Sequence, residues 1–179
     1  DARELSLVVE KEVDHVTPTE LGAWIIEGRA DYRLIDLRTS EEYAAYHIPT
    51  AENVPLSRLA DYPLLRTEKI VLYSEGGIHS AQGWMLMRAL GYEAVYFVLG
   101  GFDAWKDEVL FPTLAADADP QHRTRFERAA AMAAFFGGQP RAGGTPVDSA
   151  APVELPKLVA PPPSPGPATP VKKKKKEGC

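Results

Sequence analysis

Apolar positions along the chain occur in two patterns, short unbroken runs and stripes at helical spacing. The runs Arg33-Leu34-Ile35-Asp36-Leu37, Lys69-Ile70-Val71-Leu72-Tyr73 and Ala94 to Leu99 are rich in β-branched and aromatic residues. Such runs are typical of strands buried on both faces of a parallel sheet. Helical signals lie between them. Thr17-Pro18-Thr19-Glu20 offers a threonine cap, proline at the first helical position and glutamate three residues after the cap. Leu21, Trp24 and Ile25 continue that stripe and Gly28 supplies its stop. Ser40 reads as the cap of a second helix opening on Glu41 and Glu42, whose charges suit the positive helix end. His47-Ile48-Pro49 breaks it, Asn53 to Leu56 reads as extended, and Leu56 to Leu65 as a short helix with loop. Ala81 to Leu90, ended by Gly91, and Phe102 to Val109, launched by Gly100-Gly101, read as further helices. Asp119-Pro120 caps one more over 121–136, with Phe126, Ala129, Ala130 and Ala133 on one face and Gly137-Gly138 at its end. Residues 4–13 alternate loosely, as an arm or edge strand would.

Strands alternating with helices predict an α/β fold in three layers, a parallel sheet covered on both faces. The expected division is an arm over 1–13, an α/β body over 14–112, a helical extension over 113–139 and a tail over 140–179. Trp24, Trp84, Met85, Met87 and Trp105 are expected to pack the helices onto the sheet.

Composition then narrows the function. The 179 residues carry a net charge of −5, which gives no electrostatic case for nucleic acid. No run approaches the ~18 apolar residues of a transmembrane helix. The single cysteine, Cys179, excludes an intrachain disulfide and any cysteine-based zinc cluster. His15, His47, His79 and His122 are too scattered to spell a metal site, and no cofactor is expected. Ten of the 16 prolines fall after residue 139, where the net charge is +4, leaving the body near −9. The start at Asp1, without methionine or an apolar signal segment, suggests a processed, exported, periplasmic protein, with the cytoplasm as alternative.

The run ending at Tyr73 leads straight into Ser74-Glu75-Gly76-Gly77-Ile78-His79-Ser80 and then a helix. A strand delivering such a turn to a helix N-terminus is a ready anion site, because unpaired backbone N–H groups converge there. A tight connection made by Gly76-Gly77 is the alternative reading.

Several ordered motifs share the chain with this loop. Ile35-Asp36-Leu37-Arg38, Glu42-Tyr43, His47 to Pro55, Ile70 to Ser74 and Leu99-Gly100-Gly101-Phe102-Asp103-Ala104-Trp105 together closely resemble the rhodanese-homology domain over about residues 14–110. The resemblance implies a five-stranded parallel sheet with helices on both sides, His47 and Trp105 in structural roles, and Asp36 and Arg38 supporting the loop. In active members a loop cysteine becomes a persulfide within Cys-x-x-Gly-x-Arg-Ser. The matching residues here are Ser74, Gly77, His79 and Ser80. Sulfur transfer needs a polarisable thiolate, and a serine hydroxyl cannot form a stable persulfide. His79 in place of arginine removes a permanent bidentate clamp. The related dual-specificity phosphatases use Cys-x5-Arg, whose arginine position here is Ser80. A Ser74–His79 hydrolase pair lacks a Gly-x-Ser-x-Gly elbow, although Asp36 ends the neighbouring strand. Glu75 would oppose an anionic ligand unless it points outward.

The tail ends in Lys172 to Lys176 and Glu177-Gly178-Cys179. It reads as a solvated disordered end, as a polybasic attachment to anionic lipid, or as an arm carrying a mobile thiol. The sequence expectation is a catalytically silent binding or scaffolding module, reaching a protein partner through its tail and last helix, or an accessory subunit at a membrane. The alternative is a sulfur-transfer or thiol-carrier protein using Cys179.

Overall fold

The computed structural model describes residues 14–143 and 155–157. Five parallel strands form the sheet: β1 (His15–Val16), β2 (Arg33–Asp36), β3 (Glu52–Asn53), β4 (Ile70–Tyr73) and β5 (Val95–Val98), in the order β1-β5-β4-β2-β3. β4 is central, and its four residues are all buried. The helices are α1 (Pro18–Ile26), α2 (Ser40–Ala45), α3 (Ile78–Ala89), α4 (Gly101–Trp105) and α5 (Pro120–Phe135), with a 3-10 turn at Leu56–Asp61 and a π-helical turn, Lys106–Leu110, continuing α4.

Alternation along the strands builds a core on each face. Leu34, Val71, Tyr73 and Val98 face Leu21, Ile25, Phe102, Trp105 and Phe136. Ile35, Ile70, Leu72 and Val95 face Leu59, Trp84 and Met87 on the other side. Trp84 Nε1 donates to the Val95 carbonyl at 2.9 Å, so its one polar atom is satisfied within the apolar layer. One of the expected core residues differs, and Trp24 packs against the core while only partly buried. Met85 is 61% exposed, because α3 turns it away from the face shared by Trp84 and Met87. Trp24 is half-buried, with the Arg29 guanidinium 4.3 Å above its ring.

The helix starts follow their caps. Thr17 and Glu20 form the expected reciprocal box. At α2 the cap is Thr39 rather than Ser40, since Glu42 stands three residues after Thr39 and bonds back to its N–H at 2.9 Å. α3 begins at Ile78, three residues before the expected Ala81. Gly77 already has helical angles (φ −84, ψ −23), so the helical path opens at the second glycine of the pair, after the bend over residues 75–77.

The C-terminal extension is packed onto the body. Phe136 is 1% exposed and meets Trp105 edge to face, with centroids 5.1 Å apart. After α5, Gly138 passes so close to Leu110 that a Cβ would lie 2.1 Å from its carbonyl oxygen, and Gln139 N donates to that oxygen at 2.8 Å. The chain thereby forms β7 (Arg141–Ala142) beside β6 (Thr113–Leu114), beyond the boundary expected at residue 140. Leu155 rests against the Trp105 core. Residues 4–13, Lys172 to Lys176 and Cys179 lie outside the described residues. No helix among the described residues is long and apolar enough to cross a membrane.

Candidate functional site

The site lies at the C-terminal end of β4, where open parallel sheets hold their ligands. Ser74 directly follows the strand and is 2% exposed. Its Oγ donates to the Gly76 carbonyl at 2.7 Å and lies 3.0 Å from Ser80 Oγ, which also reaches Gly76 O at 3.3 Å. The loop therefore closes on its first side chain.

The neighbouring turn sets the orientation of the loop backbone. Phe102 N donates to Ser74 O at 2.8 Å and Asp103 N to Glu75 O at 2.9 Å. The carbonyls of Ser74, Glu75 and Gly76 crowd Gly101, where a Cβ would meet them at 2.5–2.9 Å and where φ is +61. Only glycine fits that position. The N–H groups of residues 75–80 have no acceptor among the described residues. A Cβ at Gly76 or Gly77 would meet nothing within 4 Å, so both glycines border open space.

Below the loop sits a buried charge cluster. Asp36, fully buried, accepts from Arg38 N at 2.9 Å, Arg38 Nη2 at 2.7 Å and the Tyr73 hydroxyl at 2.6 Å. Arg38 Nη2 also donates to Tyr46 O at 2.8 Å. The Tyr73 hydroxyl in turn accepts from Ile48 N at 3.1 Å. Burial, followed by the Asp36 charge, holds the Tyr73 phenol well above its ordinary pKa, so it remains a donor. Asn53 Nδ2 donates to the carbonyls of Asp36 and Arg38, pinning β3 to this corner.

The sequence-derived residues thus divide into three groups. Ser74, Gly76, Gly77 and Ser80 form the loop floor, Asp36 and Arg38 brace it from β2, and Ile78 and His79 stand exposed at its rim, Ile78 at 76%. Ser74 and His79 share no hydrogen bond among the described residues, and both Asp36 oxygens are committed elsewhere, so a Ser-His-Asp relay is not assembled. His47 stacks on Tyr43 at 3.8 Å and its Nδ1 bonds the Tyr43 carbonyl at 2.9 Å, a packing role. Glu75 does not point wholly outward. Its carboxylate lies 3.7 Å from Arg38 Nη1 and 3.9 Å from Lys106 Nζ. Lys106 and the bracing phenol of Tyr73 were not singled out from the sequence. Their only signals were a basic residue after the Gly-Gly turn and a tyrosine ending an apolar run.

The order of these elements has a counterpart in known proteins. The model of the rhodanese-like domain family matches residues 17–108. The chain belongs to the rhodanese-like domain family. It is similar to the uncharacterized protein YqhL of Bacillus subtilis, 35% identical over 88 residues, covering 46% of this chain and 70% of that protein. It is similar to the human thiosulfate:glutathione sulfurtransferase, 32% identical over 109 residues, covering 52% of this chain and 93% of that one. Among solved structures, the rhodanese-like domain protein of Staphylococcus aureus is 32% identical, with TM-score 0.48, over 54% of this chain and 94% of that one.

Proposed function

We propose that this rhodanese-like domain is a binding module whose loop carries out no sulfur transfer. The observation that carries the reading is the state of Ser74. At the position that cysteine takes in active members it presents a hydroxyl, already engaged with Gly76 O and Ser80 Oγ and 2% exposed. A hydroxyl holds no sulfane sulfur, and no base contacts this one among the described residues. What the loop keeps is a row of backbone N–H groups, leading into α3, that have no acceptor among the described residues and suit an acceptor group on a ligand.

A second reading comes from the relatives, one of which is named a thiosulfate:glutathione sulfurtransferase. In it Cys179 carries the sulfur in place of a loop cysteine. Residues after Pro140 would serve the binding module as a route to a protein partner or, through Lys172 to Lys176, to an anionic membrane.

A thiosulfate:cyanide sulfurtransferase assay separates the readings. The binding module gives no turnover in the wild type or in Cys179→Ser. Turnover lost on Cys179→Ser supports the carrier instead, and turnover surviving it overturns the silent loop.

A further inference from the structure

Beside the loop is a cavity of about 430 Å³ whose wall includes Arg38, Glu75, Lys106, Phe102, Phe111 and Leu155, with Glu42, Asp107 and Arg141 as its further charged groups. Arg38 is rigid within it. Its side chain is 4% exposed and is held by Asp36 and by Tyr46 O through N, Nε and Nη2. Nη1 makes no hydrogen bond among the described residues, and its nearest charged neighbour is the Glu75 carboxylate at 3.7 Å. Lys106 Nζ stands on the other side of that carboxylate at 3.9 Å. Both distances exceed hydrogen-bond contact, so Glu75 stands between the two cations without satisfying their donors. The Phe102 ring lies beneath them, 4.0 Å from the Arg38 guanidinium carbon and 5.3 Å from Lys106 Nζ.

We propose that Glu75 is a built-in plug in a carboxylate pocket. When its half-exposed side chain swings out, a small organic acid sets its carboxylate between Arg38 and Lys106 and its apolar body against Phe102, Phe111 and Leu155. The size suits such a ligand, since small-molecule sites have volumes of about 300–1,000 Å³ and combine apolar walls with a few fixed polar groups. Arg38 contributes donors that need no reordering on binding, which lowers the cost of association. The plug also sets the selectivity. Asp36 already balances Arg38, Asp103 lies 2.7 Å from Lys106, and Glu42 and Asp107 add to the wall, so the pocket accepts a further carboxylate only when the Glu75 carboxylate is displaced or neutral.

The groups facing Glu75 are Arg38 at the end of β2, Glu42 on α2, Asp103 on α4 and Lys106 on the following turn. Burial and then Asp103 raise the Glu75 carboxyl above its ordinary pKa, against the pull of Lys106 and Arg38. A neutral Glu75 is therefore reached at a higher pH than for a free glutamate.

This inference rests on the reading of the loop region as a binding surface, but direct binding tests it independently of sulfur transfer. Benzoate is titrated into the full chain by calorimetry at pH 7.5, with backbone amide shifts of residues 75–80 and 102–106 as a second readout. Glu75→Gln, which keeps the shape and removes the charge, should tighten binding about tenfold, the scale of one like charge lost at this range. Wild-type binding should tighten as the pH falls towards 5.5, while Glu75→Gln stays flat. Lys106→Gln in the Glu75→Gln background should abolish the gain. Unchanged or weaker binding by Glu75→Gln, or a gain that survives Lys106→Gln, would overturn the plug.

Discussion

The Tyr73 hydroxyl donates to Asp36 Oδ2 at 2.6 Å, joining the ends of β4 and β2 directly under the Ser74 loop. The same phenol oxygen accepts from Ile48 N, so one atom ties two strands to the turn that follows α2. Tyr73→Phe leaves a buried carboxylate one donor short and Ile48 N–H without its acceptor. The expected loss is about 1–3 kcal/mol, read by urea unfolding. An unchanged midpoint would mean that the phenol does not hold this corner.

The Asp36 and Arg38 side chains are only 0% and 4% exposed. Asp36→Ala strands the guanidinium without its partner, and breaking a buried pair from one side costs about 3–5 kcal/mol. Circular dichroism melting should show a sharply lowered Tm, with the loop affected before the rest of the sheet in hydrogen exchange.

Phe136 joins the extension to the body through its edge-to-face contact with Trp105. Phe136→Ala removes a ring buried to 1% exposure and is expected to cost about 3–5 kcal/mol. A change below 1 kcal/mol would show that α5 is an appendage after all. Phe126, half-buried near the other end of α5, serves as the milder control.

Thr50 has φ +74, in the left-handed region that glycine tolerates. Thr50→Gly relieves strain of about 1–2 kcal/mol and is opposed by roughly 0.5–1 kcal/mol of extra freedom in the unfolded chain. A small net rise in Tm is expected, and a fall would show that the threonine side chain contributes more than the strain costs.

Glu52 is held below the ordinary carboxylate pKa, first by its bond to Arg33 at 2.6 Å and then, against burial, by Tyr62. A carboxylate depressed in the fold contributes stability that is present above its unfolded pKa and lost as the pH falls through the folded value. Between neutral pH and about pH 3 the stability of Glu52→Gln should therefore fall less steeply than that of the wild type. Parallel pH–stability curves for the two proteins would remove the pair from the acid response.

Much of this was legible in the chain. The runs around Leu34, Val71 and Val95 announced buried parallel strands, and Thr17 with Glu20 announced α1. The loop at Ser74 followed from a buried strand leading into glycines. The remainder depended on contacts distant in sequence. β1 is two residues long and takes its register from β5, through Val16 against Val98, so no local pattern marks it. Gly76-Gly77 read as a turn because glycine permits one, and residues 75–77 do bend there, yet Gly77 already takes helical angles, so α3 starts three residues earlier than its apolar stripe suggests. Met85 belongs to an apolar cluster in sequence but to the exposed side of α3 in space. Lys106 meets Glu75 only because Gly101 lets α4 approach the loop carbonyls, a closeness fixed by the absence of a side chain.

The most direct test of the silent loop is intact-mass spectrometry after incubation with thiosulfate, in the Cys179→Ser background. Ser74 should acquire no sulfur. Ser74→Cys in that background places a thiol at the head of the loop that leads into α3, where a nearby helix N-terminus favours the thiolate, and should gain the mass of one sulfur atom, more completely when His79→Arg is added. Sulfur loading or transfer by the protein that retains Ser74 and lacks Cys179 would contradict the account.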